Sequence, residues 1–188
     1  MAVPFPAHWA APSTCDAVAG NLVVNCGFET GDFSGWTRSG NPGATGVTSS
    51  SPYVNSGNYG AALGPVGSDG FLTQFVGDNS TSYNVSFYLY SDAGTPNDFT
   101  VYWNAVDVGP DLLNAGQFNY TLFRGVLAGN SGAGSNMLTF AFRQDPAYWG
   151  LDDVVVTNAS TVPEPGSLML LGSGILGLAG IARRKFNL

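Results

Sequence analysis

Two stretches near the middle of the chain alternate apolar and polar residues, which is the pattern of a β-strand with one buried face. In YNVSFYLY the odd-numbered residues predict the core face, and they leave Tyr88 and Tyr90 on the opposite face. In FTVYWNA the odd-numbered residues again predict the core face, with Tyr102 and Asn104 opposite. Both stretches are therefore predicted to be strands of a sheet that is buried on one side.

Three further apolar runs, NLVVNC, MLTFAFRQD and LDDVVVT, also predict strands. The turn-forming clusters SDAGTPND, GNSGAGSN and DPAYWG separate the runs. No segment before Pro163 shows the period of an α-helix. Short strands at this spacing predict an all-β fold, in particular a β-sandwich.

The end of the chain has a different pattern. Residues 166–182 form an uncharged apolar run of about seventeen residues, which is close to the shortest length that spans a bilayer. Arg183, Arg184 and Lys185 follow at once, and basic residues remain on the cytoplasmic side. We therefore predict a C-terminal transmembrane helix with a basic tail over 166–188. A buried helix of a soluble protein is the alternative, but the run has no polar face.

A length of 188 residues fits one domain with additional segments. We expect an N-terminal segment to residue 20, the sandwich over 21–158, and a linker over 159–165 before the anchor. The first segment lacks the basic and apolar regions of a signal peptide, whereas the tail implies export. We therefore expect that a signal peptide is missing from the start of this sequence.

The charge of the chain excludes one class of function. Its formal net charge is -7, and three of its six basic residues are in the tail. Before the tail the only cationic residues are Arg38, Arg124 and Arg143. Such a body repels phosphate, so we exclude nucleic-acid binding.

The chain has two cysteines, Cys15 and Cys26. In an exported protein, two cysteines close in sequence predict a disulfide. The alternative is a pair of free thiols that act as small apolar residues. With two cysteines and one histidine, the chain has little capacity for soft-metal or redox chemistry.

Three features stand in order in the tail, namely Pro163-Glu164-Pro165, the apolar run and the basic cluster. In this arrangement VPEPGSLMLLGSGILGLAGIARRK resembles the PEP-CTERM sorting signal of bacteria. The resemblance implies export and transient anchoring in the inner membrane. It also implies that a membrane-embedded exosortase cleaves near Pro-Glu-Pro and removes the anchor, after which the protein reaches the cell surface or the extracellular matrix.

The body has a second resemblance, carried by NLVVNCGFETGDFSGWT at its start and YWGLDDVVVT at its end. An Asn-x-Gly-Phe-Glu opening, a following Gly-Trp and a closing Leu-Asp-Asp-Val strand resemble the galactose-binding-like jelly rolls, in particular their carbohydrate-binding modules. The resemblance covers residues 21–157. It implies a jelly-roll β-sandwich, and because one fold serves many functions it indicates function less strongly.

This resemblance also implies a structural Ca²⁺ where the first and last strands meet. Carried over to this sequence, Glu29 and Asp152 would be its carboxylate ligands. Asp153 is a substitute, because adjacent strand residues point to opposite faces. Backbone carbonyls of the ETGD and NSGNYG loops would complete an oxygen-rich shell. The alternative is that these carboxylates make ordinary hydrogen bonds in a turn and at a strand end.

Glycan binding needs exposed aromatic rings and polar groups for sugar hydroxyls. Tyr88, Tyr90, Tyr102 and Asn104 are predicted to point outward, and Tyr148 lies in a loop, so we expect these residues to bind polysaccharide on a tyrosine-bearing face. The alternative is that the outward tyrosines cover the sheet or form a self-association surface.

Catalysis is not expected. The lone histidine, His8, precedes the domain, so a Ser-His-Asp arrangement lacks reach. The glycine clusters precede no helix and do not form a phosphate loop. A pair of carboxylates acting as a polysaccharide hydrolase is the weaker alternative. We therefore predict an exported surface or matrix protein that binds exopolysaccharide without catalysis, with self-assembly as the alternative.

Overall fold

The computed structural model describes residues 12–77, 82–129 and 135–159, and its regular structure there is almost entirely β. One short 3-10 helix spans Thr14–Ala17. The strands, in chain order, are β1 (Thr37–Gly40), β2 (Thr45–Thr48), β3 (Gly60–Leu63), β4 (Gly70–Val76), β5 (Ser82–Ser91), β6 (Asn97–Trp103), β7 (Val106–Asp107), β8 (Leu112–Leu113), β9 (Phe118–Ala128), β10 (Asn136–Gln144) and β11 (Trp149–Asn158).

The strands form two antiparallel sheets. The six-stranded sheet has the order β1-β4-β10-β6-β7, and β8 also pairs with β6. The five-stranded sheet has the order β2-β3-β11-β5-β9. From β3 to β6, and again from β9 to β11, each strand in turn crosses to the other sheet. The prediction of an all-β jelly-roll sandwich is thereby confirmed.

The core between the sheets is rich in aromatic rings. Phe87 and Trp149 come from the five-stranded sheet, and Phe99 and Phe140 come from the six-stranded sheet. The rings of Phe87 and Phe140 meet edge to face, with centroids 5.1 Å apart. The predicted core faces of β5 and β6 are buried as expected as far as Trp103, whereas Ala105, also predicted to face the core, is exposed because the chain turns there with a φ of 64°. Truncation of one of the core rings to alanine typically costs about 3–5 kcal/mol.

The predicted strand in NLVVNC does not form. Asn25 has a φ of 51° and lies in a turn, which an extended strand cannot contain. Its side-chain amide donates to the carbonyls of Asp32 and Ser34, and its Oδ1 accepts from the backbone N–H of Thr30. Asparagine tolerates this backbone conformation and ties the turn together.

The N-terminal segment packs on the sandwich, while the domain boundary at residue 21 stays a prediction. The segment before residue 21 is part of the fold, since Ser13 and Cys15 are buried. The predicted disulfide is confirmed, because Cys15 and Cys26 are bonded. The backbone N–H of Leu22 donates to the carbonyl of Val156, so this segment lies along β11.

The predicted transmembrane helix and the Pro-Glu-Pro motif lie outside the described residues. In the part of the chain that the structure describes, no helix is long and apolar enough to cross a membrane.

Candidate functional site

The outer face of the five-stranded sheet presents the alternate side chains of β5. Because strand residues alternate between faces, Asn84, Ser86, Tyr88 and Tyr90 all point away from the core. Ser86 pairs with Val155 of β11 on one side and with Arg124 of β9 on the other. Two residues further along, Tyr88 is paired with Leu122 of β9. The half-buried Tyr88 ring therefore lies near the middle of this face.

At one end of this face, four tyrosines from separate segments form what we call the tyrosine cluster: Tyr53, Tyr90, Tyr120 and Tyr148. The Tyr53 ring meets Tyr148 edge to face, with centroids 5.5 Å apart. It meets Tyr90 in the same way at 5.9 Å. Tyr120 packs on the other side of Tyr90, at 5.8 Å. The cluster is therefore a continuous row of rings, with Tyr53 and Tyr148 half-buried at its open end.

Asp92 holds two of these rings in place. The hydroxyls of Tyr53 and Tyr90 donate to its two carboxylate oxygens, Tyr90 at 2.6 Å. Burial, followed by this bond, raises the pKa of Tyr53 above its ordinary value. The bond to Asp92, followed by burial, raises the pKa of Tyr90 as well. Both phenols therefore remain protonated donors at neutral pH, and the rings have fixed orientations.

Tyr90 points outward as predicted, but it does not present its ring to solvent. The residue is only 5% exposed, since Tyr53 and Tyr120 cover it from two sides. The approach of Tyr120 requires glycine at position 150, because a Cβ there would lie 2.7 Å from the Tyr120 hydroxyl oxygen. Tyr90 was predicted to contact a ligand directly. Its position beneath Tyr53 instead lets it support the Tyr53 ring.

Two open grooves lie on this face, and we name each by one residue. The tyrosine groove, of about 520 Å³, lies over β2 and β3 and ends against Tyr53 and Tyr148. The arginine groove, of about 560 Å³, lies over the opposite end of β5 and includes Ser86 and Arg124. Tyr88 lines neither groove, but it follows Ser86 of the arginine groove by two residues on the same face of β5. A ligand that extended from the arginine groove along β5 would therefore meet its ring.

Tyr102 and Asn104 do not join this face. Tyr102 belongs to β6 of the six-stranded sheet, so its side chain lies on the opposite outer surface from Tyr88. The expectation of one face with both tyrosines is wrong, because strands β5 and β6 lie in different sheets. Asn104 lies in the turn after β6 with a φ of 52°, and its Oδ1 accepts from the backbone N–H of Met137 at 2.9 Å.

A second cluster of polar groups lies beneath this face, where β11 is interrupted by a bulge between Asp152 and Val155. Asp152 has no exposed surface. Its Oδ2 accepts from the backbone N–H groups of Asn55 and Ser56, and its Oδ1 accepts from Asp153 N–H at 2.7 Å. Burial, followed by the charge of Asp153, raises the pKa of Asp152 to about 8.

Asp153 is the extra residue of the bulge and has a φ of 51°. A bulge re-aims a side chain, and here it turns Asp153 toward the N-terminal segment and the loop before β3. Its Oδ1 accepts from the backbone N–H of Cys15 at 3.1 Å, and its carboxylate also accepts from Ser56 Oγ and Asn55 Nδ2. One carboxylate therefore joins three separate segments.

Glu29 is held separately by the same loop. Its carboxylate accepts from the backbone N–H groups of Asn58 and Tyr59, at 3.0 and 3.2 Å. It also accepts from the side-chain amide of Asn58 at 3.1 Å. The loop NSGNYG thus turns N–H donors toward Glu29, where the calcium prediction invoked its carbonyl oxygens.

The donors around these carboxylates bear on the calcium prediction. Within residues 12–77, 82–129 and 135–159, the group of three potential metal ligands that converges to within 4.8 Å is Cys15, Asp16 and Cys26, and its two sulfurs form the disulfide. The predicted ligands Glu29, Asp152 and Asp153 are satisfied by N–H and O–H donors instead. As arranged, they do not form a shared ligand shell. Calcium binding at this edge stays a prediction, which a calcium titration followed by thermal unfolding would test.

Several site residues escaped the sequence reasoning. Tyr53 and Tyr120 join the cluster through contacts between distant segments, which no local pattern reveals. From the sequence, Arg124 is identified only as one of three cationic residues. It is not assigned to a face, because β9 is not predicted. The alternation in NYTLFRGV, with Tyr120, Leu122 and Arg124 two residues apart, is the signal that would have placed it.

The fold is a β-sandwich with two open grooves on the outer face of one sheet, and comparisons with known proteins agree with the fold. Residues 20–109 match the family model of a carbohydrate binding domain. Residues 161–185 match the model of the PEP-CTERM protein-sorting motif. Both resemblances seen in the sequence are thereby confirmed. No curated protein matches the chain.

Solved structures of carbohydrate-binding modules share the fold. TmCBM61, solved with β-1,4-galactotriose, has a TM-score of 0.61 and 20% identity, over 75% of this chain and all of its own. A family 16 module has a TM-score of 0.55 and 17% identity, over 73% of this chain and 99% of its own. The xylan-binding domain CBM22-1 of Paenibacillus barcinonensis Xyn10C has values of 0.54 and 18%, over 76% and 98%. At these identities the likeness concerns the fold.

Proposed function

We propose that this chain is an exported bacterial protein whose sandwich binds polysaccharide without catalysis, on the outer face of the five-stranded sheet. The observation that carries the proposal is the position of Tyr88, a half-buried ring on the face that has two open grooves and two residues from Ser86 in one of them. Aromatic rings with a fixed orientation stack on the apolar faces of sugars, and neighbouring amides and hydroxyls bind the sugar hydroxyls. The match of residues 20–109 to a carbohydrate binding domain supports this function.

The tyrosine cluster supports the same proposal at the end of the tyrosine groove. Tyr53 and Tyr148 form a corner of two rings, 63° apart in plane, that is open toward solvent. Asp92 fixes Tyr53 by accepting a hydrogen bond from its hydroxyl. A ligand would therefore meet an aromatic wall that loses little side-chain entropy on binding.

A matched pair of variants tests the proposal. The full chain is titrated against a panel of soluble polysaccharides that includes β-1,4-galactan, xylan and the producer's own exopolysaccharide. We expect Tyr88→Ala to reduce affinity about tenfold or more, since a lost stacking contact costs about 1–3 kcal/mol. Tyr102→Ala removes a ring from the opposite face and should leave affinity within about twofold. Equal effects of the two variants, or no binding of the parent chain to any glycan, would contradict the proposal.

The C-terminal match supports the other half of the proposal, which is export and sorting. We propose that an exosortase cleaves near Pro163-Glu164-Pro165 and releases the domain from a transient inner-membrane anchor to the cell surface or matrix. The intact mass of the protein from the producer's medium and envelope tests this. A mass for a chain that ends near this motif is expected. A full-length mass confined to the inner membrane would mean that the tail is a permanent anchor.

Self-assembly is the second candidate, and the free edge of the five-stranded sheet favours it. β9 is an edge strand of eleven residues, and Val126 on it is 68% exposed. Unpaired edge groups can pair with another strand unless charges or bulges prevent it. This candidate predicts oligomers that grow with concentration in light scattering and are insensitive to sugar. A monomer at high concentration would exclude it.

A further inference from the structure

Arg124 is the exposed charge of the five-stranded sheet. The strands of that sheet contain three charged residues, and the other two, Asp152 and Asp153, are buried. Arg124 is exposed on β9 and lines the arginine groove. Within the described residues the ion pair formed is Arg143 with Asp145, so Arg124 has no carboxylate partner there.

The groups around Arg124 in this groove are all neutral, with the polar residues Ser86, Asn84 and Thr157 beside the apolar residues Val126 and Val155. Ser86 is directly opposite it on β5, and Asn84 and Thr157 lie in the next row of the same groove. A guanidinium presents five donors in a planar fork that matches a carboxylate. The hydroxyl and amide groups beside it are suited to sugar hydroxyls. The groove therefore has one group that can bind an anion, the guanidinium of Arg124, and several groups that can bind neutral hydroxyls.

The distance from Tyr88 makes this site reachable from a bound sugar. Tyr88 pairs with Leu122 and Ser86 pairs with Arg124, so Tyr88 and Arg124 are diagonal neighbours on one face. Such neighbours lie about 7–8 Å apart between their backbones, which long side chains bridge. A sugar ring stacked on Tyr88 can therefore carry a substituent to the guanidinium.

We propose that the arginine groove binds the carboxylate of an acidic polysaccharide, with Arg124 as the residue that selects an anionic sugar unit beside Tyr88. This inference rests on the proposed function and names the class of its ligand. The geometry assigns stacking to Tyr88 and charge recognition to Arg124.

The net charge of the chain opposes an acidic ligand at long range, but its distribution limits this effect. Three acidic groups, Asp69, Asp98 and Asp145, lie on the side of the six-stranded sheet, and burial followed by the charges of Asp69 and Asp145 raises the pKa of Asp98. On the binding face, the carboxylate of Asp92 lies beside the tyrosine cluster and accepts hydrogen bonds from the hydroxyls of Tyr53 and Tyr90. At physiological ionic strength, charges beyond about 8 Å are largely screened, so the local guanidinium decides.

The test compares three soluble polymers on the full chain at physiological ionic strength: polygalacturonate, which carries carboxylates, β-1,4-galactan, which is neutral, and dextran sulfate, which carries sulfates. We expect Arg124→Gln to weaken polygalacturonate binding about tenfold or more, because charged hydrogen bonds contribute about 1.5–3 kcal/mol. Galactan binding should change less than about twofold. Arg124→Lys, which keeps the charge but loses the fork, should fall between the parent and Arg124→Gln.

Arg143→Gln is the matched control, because it removes a cation from β10 of the six-stranded sheet, where Arg143 pairs with Asp145 and lines neither groove. It should leave the binding of all three polymers unchanged. Equal loss of polygalacturonate and galactan binding in Arg124→Gln, or no loss of either, would overturn the inference and leave the proposed function intact. Preferred binding of dextran sulfate would also overturn it, since a point-charge attraction would then explain the result. If the parent chain does not bind polygalacturonate, this inference is overturned, whereas the proposed function fails only if the chain binds no glycan of the wider panel.

Discussion

The two outer faces of the sandwich treat charge differently. The strands of the six-stranded sheet carry Arg38, Asp98, Asp107 and Arg143 at exposed or half-buried positions. On the five-stranded sheet the two carboxylates of β11 are buried, and Arg124 is the exposed charge. A face cleared of surface charge exposes ring and amide surfaces that a neutral or singly anionic ligand can approach without displacing tightly hydrated ions.

The faces also differ in how their polar groups are partnered. On the six-stranded sheet, Thr37, Thr73, Thr139 and Tyr102 form one row across four strands, and the hydroxyls of Thr73 and Thr139 are 2.9 Å apart. On the five-stranded sheet, the Asp92 carboxylate fixes tyrosine rings of the cluster, and the two open grooves lie on the same face. On the first face two neighbouring hydroxyls therefore bond to each other, whereas on the second the proposed ligand would meet open grooves.

The largest expected effect concerns Asp152, the carboxyl group that is buried beneath the outer face of the five-stranded sheet. The pKa of Asp152 is raised from 3.8 to about 8 in the folded state, so the folded protein keeps a proton that the unfolded chain has released. This contributes stability that is fully present below about pH 4 and is lost as the pH rises to about 8, up to about 5 kcal/mol in all. Thermal unfolding at a series of pH values should therefore show a falling melting temperature over this window.

Two variants isolate the contribution of Asp152. Asp152→Asn should flatten the decrease, because the titrating group is gone, whereas Asp107→Asn on the six-stranded sheet should leave the decrease in place. If Asp152→Asn and the parent chain lose stability in parallel between these pH values, another group is responsible and the contrast between the faces is wrong in this respect.

A smaller effect separates two tyrosines of the cluster. Tyr90→Phe loses a hydrogen bond to the Asp92 carboxylate and should cost about 1–2 kcal/mol. The Tyr120 hydroxyl is buried and has no hydrogen-bond partner among the described residues, so Tyr120→Phe should be within about 0.5 kcal/mol of the parent or more stable. Urea unfolding of both variants measures the difference. A larger loss for Tyr120→Phe would contradict this account of the cluster.

The smallest effect is on the threonine row of the six-stranded sheet. Thr73→Val removes one hydroxyl of the pair and should cost about 0.5–1 kcal/mol, because Thr139 loses its partner. The double variant Thr73→Val with Thr139→Val removes both polar groups and should recover most of that loss. Neither change should alter polysaccharide binding. A clear loss of binding would show that the ligand uses this face as well.

The strand pattern could be predicted where one face is buried and the other is solvated. The alternation in β5 and β6 gave their core faces correctly, since each inward residue meets the opposite sheet. The strand expected in NLVVNC failed because Asn25 takes a turn conformation that its side chain stabilises through three backbone groups. Local apolar content does not report such bonds.

The candidate site was predicted only in part, for a topological reason. The outward direction of Tyr88 follows from local alternation, but its sheet does not, so Tyr102 was placed on the same face. The burial of Tyr90 depends on Tyr53 and Tyr120, which are distant in sequence and arrive through the loop before β3 and through β9. Assignment of strands to sheets therefore limits what a sequence says about a binding face.

The position of β11 has a mechanical consequence. It is the central strand of its sheet, bonded along its length to β5, and after the bulge it is bonded to residues 22–26 on its other side. Tension applied through the end of β11 at Asn158 acts along the strand, so these hydrogen bonds are loaded together in shear and do not open one at a time. Asp153 adds a hydrogen bond, which its carboxylate accepts from the backbone N–H of Cys15 in the disulfide-bonded loop. A domain that is held by its C-terminal end and binds a polymer on its outer face would thus bear the load through the hydrogen bonds of β11, which must break together.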